Sequence, residues 1–305
     1  MEGYTVIHAE GKTRHCYPID VWIDGPDVDT YHQLHHHGVA VESELMAYRI
    51  YFDKKQTIDP YCKRKPQLEL AESHWYPNDS LLEAGYGDDI LRVSGTVGVG
   101  SVKYWNGKLF HIEEGGERQQ LIVKKGRNEA TIAVCDVDWT VPDGKEELPE
   151  TRHIVNLDVQ YTMKAGHRDM RCDVFCSAPV EGLCTGVQTI PAKGGKDTIS
   201  LILPNGILLA SWGTDWPVND SVKYAKETVG LGVFIPKEYA GVLVHDKRNN
   251  LCLLKLSAFS HQPSALPRTA HFYLTCCGAT KENHPVARTA EEWYAYLRRW
   301  AKGLK

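Results

Sequence analysis

Through the middle of this 305-residue chain, apolar and polar positions alternate in short runs separated by turn residues, the pattern of half-buried β-strands. Residues 97–105 and 108–112 meet across Asn106-Gly107, a strong short-range hairpin signal. Residues 198–203 and 207–212 repeat the device across Pro204-Asn205-Gly206, and 241–245 and 251–256 do so across residues 247–250. The longest pair, 154–163 and 169–176, turns at residues 164–167. Strands that follow one another this closely, with little helix between them, predict antiparallel sheets packed face to face. One helix is predicted, at the C-terminal end. Thr289-Ala290-Glu291-Glu292 forms a capping-box pattern, and Trp293, Leu297, Trp300 and Leu304 then fall on one helical face. That face should dock on a sheet.

A further strand is predicted over residues 47–53. Alternation puts Tyr48, Ile50 and Phe52 on one side, as core, and Arg49, Tyr51 and Asp53 on the other. A core refuses such polar groups unless they are paired, so this row is expected to face a groove or water. Lys54, Lys55, Asp59 and Tyr61 lie just beyond it.

Composition narrows the function classes. A net charge of -4 leaves no electrostatic footprint for nucleic acid or anionic membrane, so any acidic ligand would need a local basic pocket. No run of eighteen apolar residues offers a membrane span. Nine cysteines form neither a disulfide framework nor paired zinc-ribbon spacing and read mostly as buried thiols. Eight Trp and fifteen Tyr suit sugar faces, but they also suit a β-sandwich core. The N-terminus lacks a basic-then-apolar signal peptide. The chain is therefore either cytosolic or a trimmed form of a longer one. It is read as one domain over residues 1–305, and whether an N-terminal segment is missing stays open.

The densest candidate chemistry is Tyr31-His32-Gln33-Leu34-His35-His36-His37-Gly38, directly upstream of the predicted polar row. Imidazole titrates near neutrality and is a common metal ligand. On an extended backbone His35 and His37 could reach one ion while His36 points away, and no His-x-Glu pattern completes a shell. Neither a metal nor any other cofactor is expected. The favoured roles are His36 as base, Tyr51 as acid, and Arg49 or Lys54 neutralising a substrate carboxylate, with His35, His37 and Asp53 as ligand contacts.

Three further stretches supply candidate contacts. Gly85-Tyr86-Gly87-Asp88-Asp89-Ile90-Leu91-Arg92 holds Tyr86, Asp88, Asp89 and Arg92 in a glycine-flanked polar turn; its paired acids could do glycosidase-like work or simply be solvated. His167 sits at the predicted hairpin tip Ala165-Gly166-His167-Arg168-Asp169. Ser211-Trp212-Gly213-Thr214-Asp215-Trp216 sets Trp212 and Trp216 about Asp215, as either a sugar-stacking group or a capped apolar corner. Nucleophile-elbow, P-loop and dinucleotide fingerprints are absent from the sequence.

These motifs together resemble the DUF4861 proteins of Bacteroides-type bacteria. The resemblance is carried by His35 to Ala40, Ala47 to Asp59, Gly87 to Gly95, Ala165 to Asp169 and Ser211 to Asp215, and it runs from about residue 22 to the C-terminal helix. Members tend to be periplasmic or secreted and encoded among polysaccharide-degrading genes, often beside enzymes acting on unsaturated uronides. The resemblance therefore implies a saccharide ligand. The long hairpin also resembles the galactose-mutarotase-type supersandwich of several polysaccharide lyases. The expectation is an all-β antiparallel supersandwich with a C-terminal helix. It would act on a uronate-containing saccharide by lyase-like β-elimination or by isomerisation or mutarotation, or bind carbohydrate without chemistry. Neither nucleic acid nor membrane is expected as a partner.

Overall fold

The computed structural model describes residues 6–8, 21–24, 35–73, 75–113, 117–143, 152–192, 195–196, 198–258 and 268–304. Tyr31, His32, Gln33 and Leu34 of the histidine stretch lie outside them.

A ten-stranded antiparallel sheet forms the spine. Its path runs Thr198–Leu203, Gly206–Asp215, Glu227–Pro236, Arg268–Gly278, Met170–Cys176, Ile154–Lys164, Glu129–Thr140, Glu117–Lys125 and Val21–Asp24, with Ser257–Ala258 pairing on Arg268–Gly278. Two five-stranded sheets accompany it. One joins Val6–His8, Gly38–Glu42, Met46–Tyr51, Ile58–Cys62 and Asp88–Asp89; the other joins Ala240–His245, Asn249–Leu254, Leu183–Gln188, Lys103–Trp105 and Leu109–Phe110. A continuous apolar core links all three: Tyr48 and Ile50 from the first small sheet, Val187 and Cys252 from the second, and Ile132, Val159 and Leu274 from the large one. The result is the expected all-β antiparallel sandwich.

The predicted hairpin pairings form, with shifts at their ends. Met163 pairs with Met170, Leu203 with Gly206 and His245 with Asn250. The first hairpin differs more. Trp105 pairs with Leu109, so three residues make the loop, and strand structure begins only at Lys103. Residues 97–102 turn instead, with Gly98 and Gly100 at positive φ. The eight described cysteines carry free thiols, seven of them buried.

The helix Ala290–Lys302 is capped as predicted, the Thr289 side chain accepting from the Glu292 N–H. It lies on the large sheet's other face, where Trp293 and Leu297 pack with Leu208, Trp212 and Phe234. Close approach depends on Gly230 and Gly232: an added Cβ would come within 2.6 Å of Trp293 and 2.5 Å of Leu297.

Candidate functional site

The site grows from the first small sheet. Antiparallel pairing sets Arg49 of Met46–Tyr51 directly opposite Asp59 of Ile58–Cys62, and the next strand sets Asp89 opposite Tyr61. Cross-strand neighbours lie close enough for ion pairing. Arg49 Nη2 accordingly donates to Asp59 Oδ2 at 2.5 Å and also to Asp89 Oδ1, while the Tyr51 hydroxyl donates to Asp59 Oδ2 at 2.6 Å.

The predicted alternation holds along this strand, but its polar face is not open. Arg49 is fully buried, and the strand ends at Tyr51. Residues 63–76 cover the face and are tied down by buried polar groups. Lys63 pairs with Glu42, which accepts the N–H groups of Glu69 and Leu70. His36 Nε2 donates to the Leu70 carbonyl at 2.7 Å, and Arg49 Nη1 to the Trp75 carbonyl at 2.8 Å. Arg49 is thus an internal anchor rather than a groove-facing cation, because cross-strand acids and the covering segment satisfy it.

The histidines also need correction. His35–His37 form a 3-10 turn with His36 and His37 at φ 54° and 60°, so the extended geometry assumed for metal binding does not apply. His36 is fully buried, and its Nδ1, the nitrogen left to act as a base, has no hydrogen-bond partner among the described residues. Burial, then the Arg49 charge, pushes this imidazole down to about 3. It fastens the turn to the covering segment and does not face the cleft. His37 meets the Tyr51 ring edge-on at 5.5 Å and lies parallel to Trp75, while half-buried His35 meets Trp75 edge-on.

Beside the carboxylates opens a cleft of about 370 Å³, within the range of small-molecule sites. Tyr51, Asp59, Tyr76 and Asp89 line its inner wall, and Asp53, Lys55, Arg92 and Asn219 its mouth. Arg92 spans to Asp215 at 3.3 Å and Asn219 at 3.2 Å. Lys55 is presented by a turn in which Asp53 accepts the N–H groups of Lys55 and Gln56, and Arg118 holds the Asp53 carbonyl at 2.7 Å. Positive charge collects behind this turn. His111 is pushed down to about 3 by burial and then by Lys103, Lys55 and Lys54.

Electrostatics single out the carboxyl cluster. Burial pushes Asp59 up to about 7 against the pull of Arg49, with Asp89 reinforcing the rise. Asp89 is raised by burial and opposed by Arg49. Asp88 points to the other side, near Lys281 at 3.9 Å, and is also raised, by burial and by Asp89. Lys281 in turn bonds Glu227 at 2.9 Å.

Of the sequence candidates, Tyr51, Asp53, Asp89 and Arg92 line the cleft, with Arg49 behind it and Asp215 on Arg92. Others fall elsewhere. Trp212 is buried beneath the C-terminal helix, because strand alternation sends it to the opposite face from Asp215. Trp216 is half-buried under the Lys226 ammonium. His167 is an exposed hairpin-tip residue beside Asp169, Tyr86 bonds Glu72, and Lys54 points to solvent. Tyr76 and Asn219 were missed, since neither carries a local signal; Asp59 was visible beyond the polar row, but its pairing with Arg49 was not. Among the described residues, no group of three His, Cys, Asp or Glu could hold a metal ion.

Fold and site together define an all-β sandwich with a buried arginine–carboxylate cluster at the wall of a polar cleft. The chain belongs to the DUF4861 family, whose model, a domain of unknown function, matches residues 21–305. No curated protein matches the chain in sequence.

Proposed function

We propose that the cleft is the active site of an enzyme that moves protons on a uronate-containing saccharide, by β-elimination or by isomerisation or mutarotation. The observation that carries this reading is the arrangement of two carboxyls on one guanidinium, with Asp59 raised to about 7 and both lining the cleft. One proton shared between Asp59 and Asp89 neutralises the cluster, leaving an acid and a base side by side near neutral pH. In an elimination, the ionised carboxyl removes the proton from the carbon bearing the sugar carboxylate. The adjacent C–O bond breaks as the C=C bond forms, and the protonated carboxyl supplies the leaving oxygen. In mutarotation, the same pair protonates the ring oxygen and accepts the anomeric hydroxyl proton. Tyr51 holds Asp59 in place, and Lys55 and Arg92 at the mouth receive the sugar carboxylate.

A noncatalytic carbohydrate-binding role is the second reading. It is favoured by the part-exposed Arg92, Asp215 and Asn219 at the rim, which suit sugar hydroxyls without chemistry. Incubating native protein with uronate oligosaccharides separates the two, with ultraviolet absorbance reporting a new conjugated double bond and NMR reporting isomers and anomers. Conversion is expected, slowed about 10²–10⁴-fold in Asp59→Asn while calorimetric binding persists. Binding without conversion by the native protein would leave the binding role. Neither binding nor conversion across the panel would end the carbohydrate reading.

A further inference from the structure

The geometry points to an aromatic subsite beside the cleft, in which the Trp75 indole is the stacking platform for a second sugar ring of an oligosaccharide whose first ring lies over Asp59 and Asp89. This rests on the saccharide reading above and extends it from a single sugar to a chain.

Trp75 is the one aromatic among the exposed large hydrophobic residues, at 39% exposure; the other six, Val123, Ile154, Ile202, Val222, Val242 and Val286, are aliphatic and belong to other strands and loops. A Trp is usually well buried, so one held at the surface invites a functional account. Exposed valines and isoleucines scattered through the sequence do not build a protein-docking patch around it.

The indole is also held in place. Its own carbonyl accepts from Arg49 Nη1 at 2.8 Å, and Arg49 is the residue that carries Asp59 and Asp89. His37 lies parallel to the ring, 9° between planes with centroids 6.4 Å apart, and His35 meets it edge-on at 6.2 Å. His37 reaches Tyr51 at 5.5 Å, and Tyr51 bonds Asp59. Two routes, one through Arg49 and one through His37 and Tyr51, thus key the platform to the carboxyl pair. Tyr76, the next residue, lines the cleft itself and bridges the two places. The C–H face of a pyranose packs on such a ring without needing a charged partner. This also gives the left-handed turn at His36 and His37 a use, since it delivers His37 beneath the indole.

The test is calorimetry on native protein, Trp75→Ala and Trp75→Phe, with di- and hexasaccharides from polygalacturonate, alginate and glucuronoxylan. The readout is the ratio of disaccharide to hexasaccharide Kd. The native ratio should be about tenfold, falling to near one in Trp75→Ala and staying between them in Trp75→Phe. A ratio that persists in a folded Trp75→Ala overturns the platform and leaves the saccharide reading standing. If no saccharide binds the native protein, that reading and the platform fall together. Should Trp75→Ala not fold, acrylamide quenching decides: hexasaccharide must protect a fluorescence component that Trp75→Phe lacks, and a component left equally quenchable refutes the platform.

Discussion

Two buried arginines meet carboxylates in this molecule, and they are built differently. Arg168 pairs one-to-one with Glu282 through two parallel bonds at 3.1 and 3.0 Å, spends a further bond on the Cys276 carbonyl, and faces a carboxylate already accepting the Gly278 N–H. Arg49 serves two aspartates from a single nitrogen, and its Nε is buried without a hydrogen-bond partner among the described residues. The first arrangement balances charge and closes a corner between hairpin and sheet. The second leaves one negative charge too many in a place with little water, so a proton is retained, and a cleft gives access to it. An unbalanced buried pair marks a site more informatively than burial or ion pairing alone.

The largest effect expected follows directly from this contrast. Glu282→Ala strands a buried guanidinium and should cost about 3–5 kcal/mol in urea unfolding. Asp59→Asn leaves Arg49 with Asp89 and should cost much less. Its cost should also shrink between about pH 5 and 7. The folded carboxyl, raised to about 7, binds more protons than the unfolded one in that window, so native stability falls as pH rises and the variant lacks that loss. Equal costs for the two variants at pH 7 would break the comparison.

Lys103 sharpens it from the cationic side. Its ammonium is fully buried and donates to the Lys55 carbonyl and the Thr57 hydroxyl, and burial lowers it to about 7. The unfolded chain then binds more protons above pH 7, so native stability should rise with pH, by up to about 1.4 kcal/mol per unit. Lys103→Met should abolish the slope between pH 7 and about 9, beyond which buried thiols act in the opposite sense. A slope that survives the substitution would mean another group is responsible.

A smaller change is expected at the rim. Lys55→Ala should weaken binding of an anionic saccharide about tenfold at low salt, with the loss fading as salt screens the native contact. An equal loss for a neutral saccharide would show that Lys55 does not read charge. The smallest concerns His36: replacing it with Ala should lower the unfolding midpoint yet leave the pH–rate limb near 7 in place. Disappearance of that limb would return the base to the histidine.

Local pattern settled a good deal here. Alternation over residues 154–176 and 198–215, the turn residues between them, and the capped amphipathic helix at the C-terminus each use interactions within a few residues, so they were legible in the chain. The same alternation correctly separated Tyr48 and Ile50 from Arg49 and Tyr51, because a pleated strand has only two faces. What covers each face is a different matter. That residues 63–76 fold over Arg49, or that the C-terminal helix buries Trp212, depends on contacts far apart in sequence, and periodicity carries no information about them. The histidine run was the most conspicuous local feature and proved a poor guide to the cleft, since its middle member is consumed in fastening that cover. Sequence alone determined an all-β sandwich with a polar row near residue 50. Only strand pairing decided that Arg49, Asp59 and Asp89 would meet, and their shared burial, which no local pattern records, is what makes a carboxyl retain its proton.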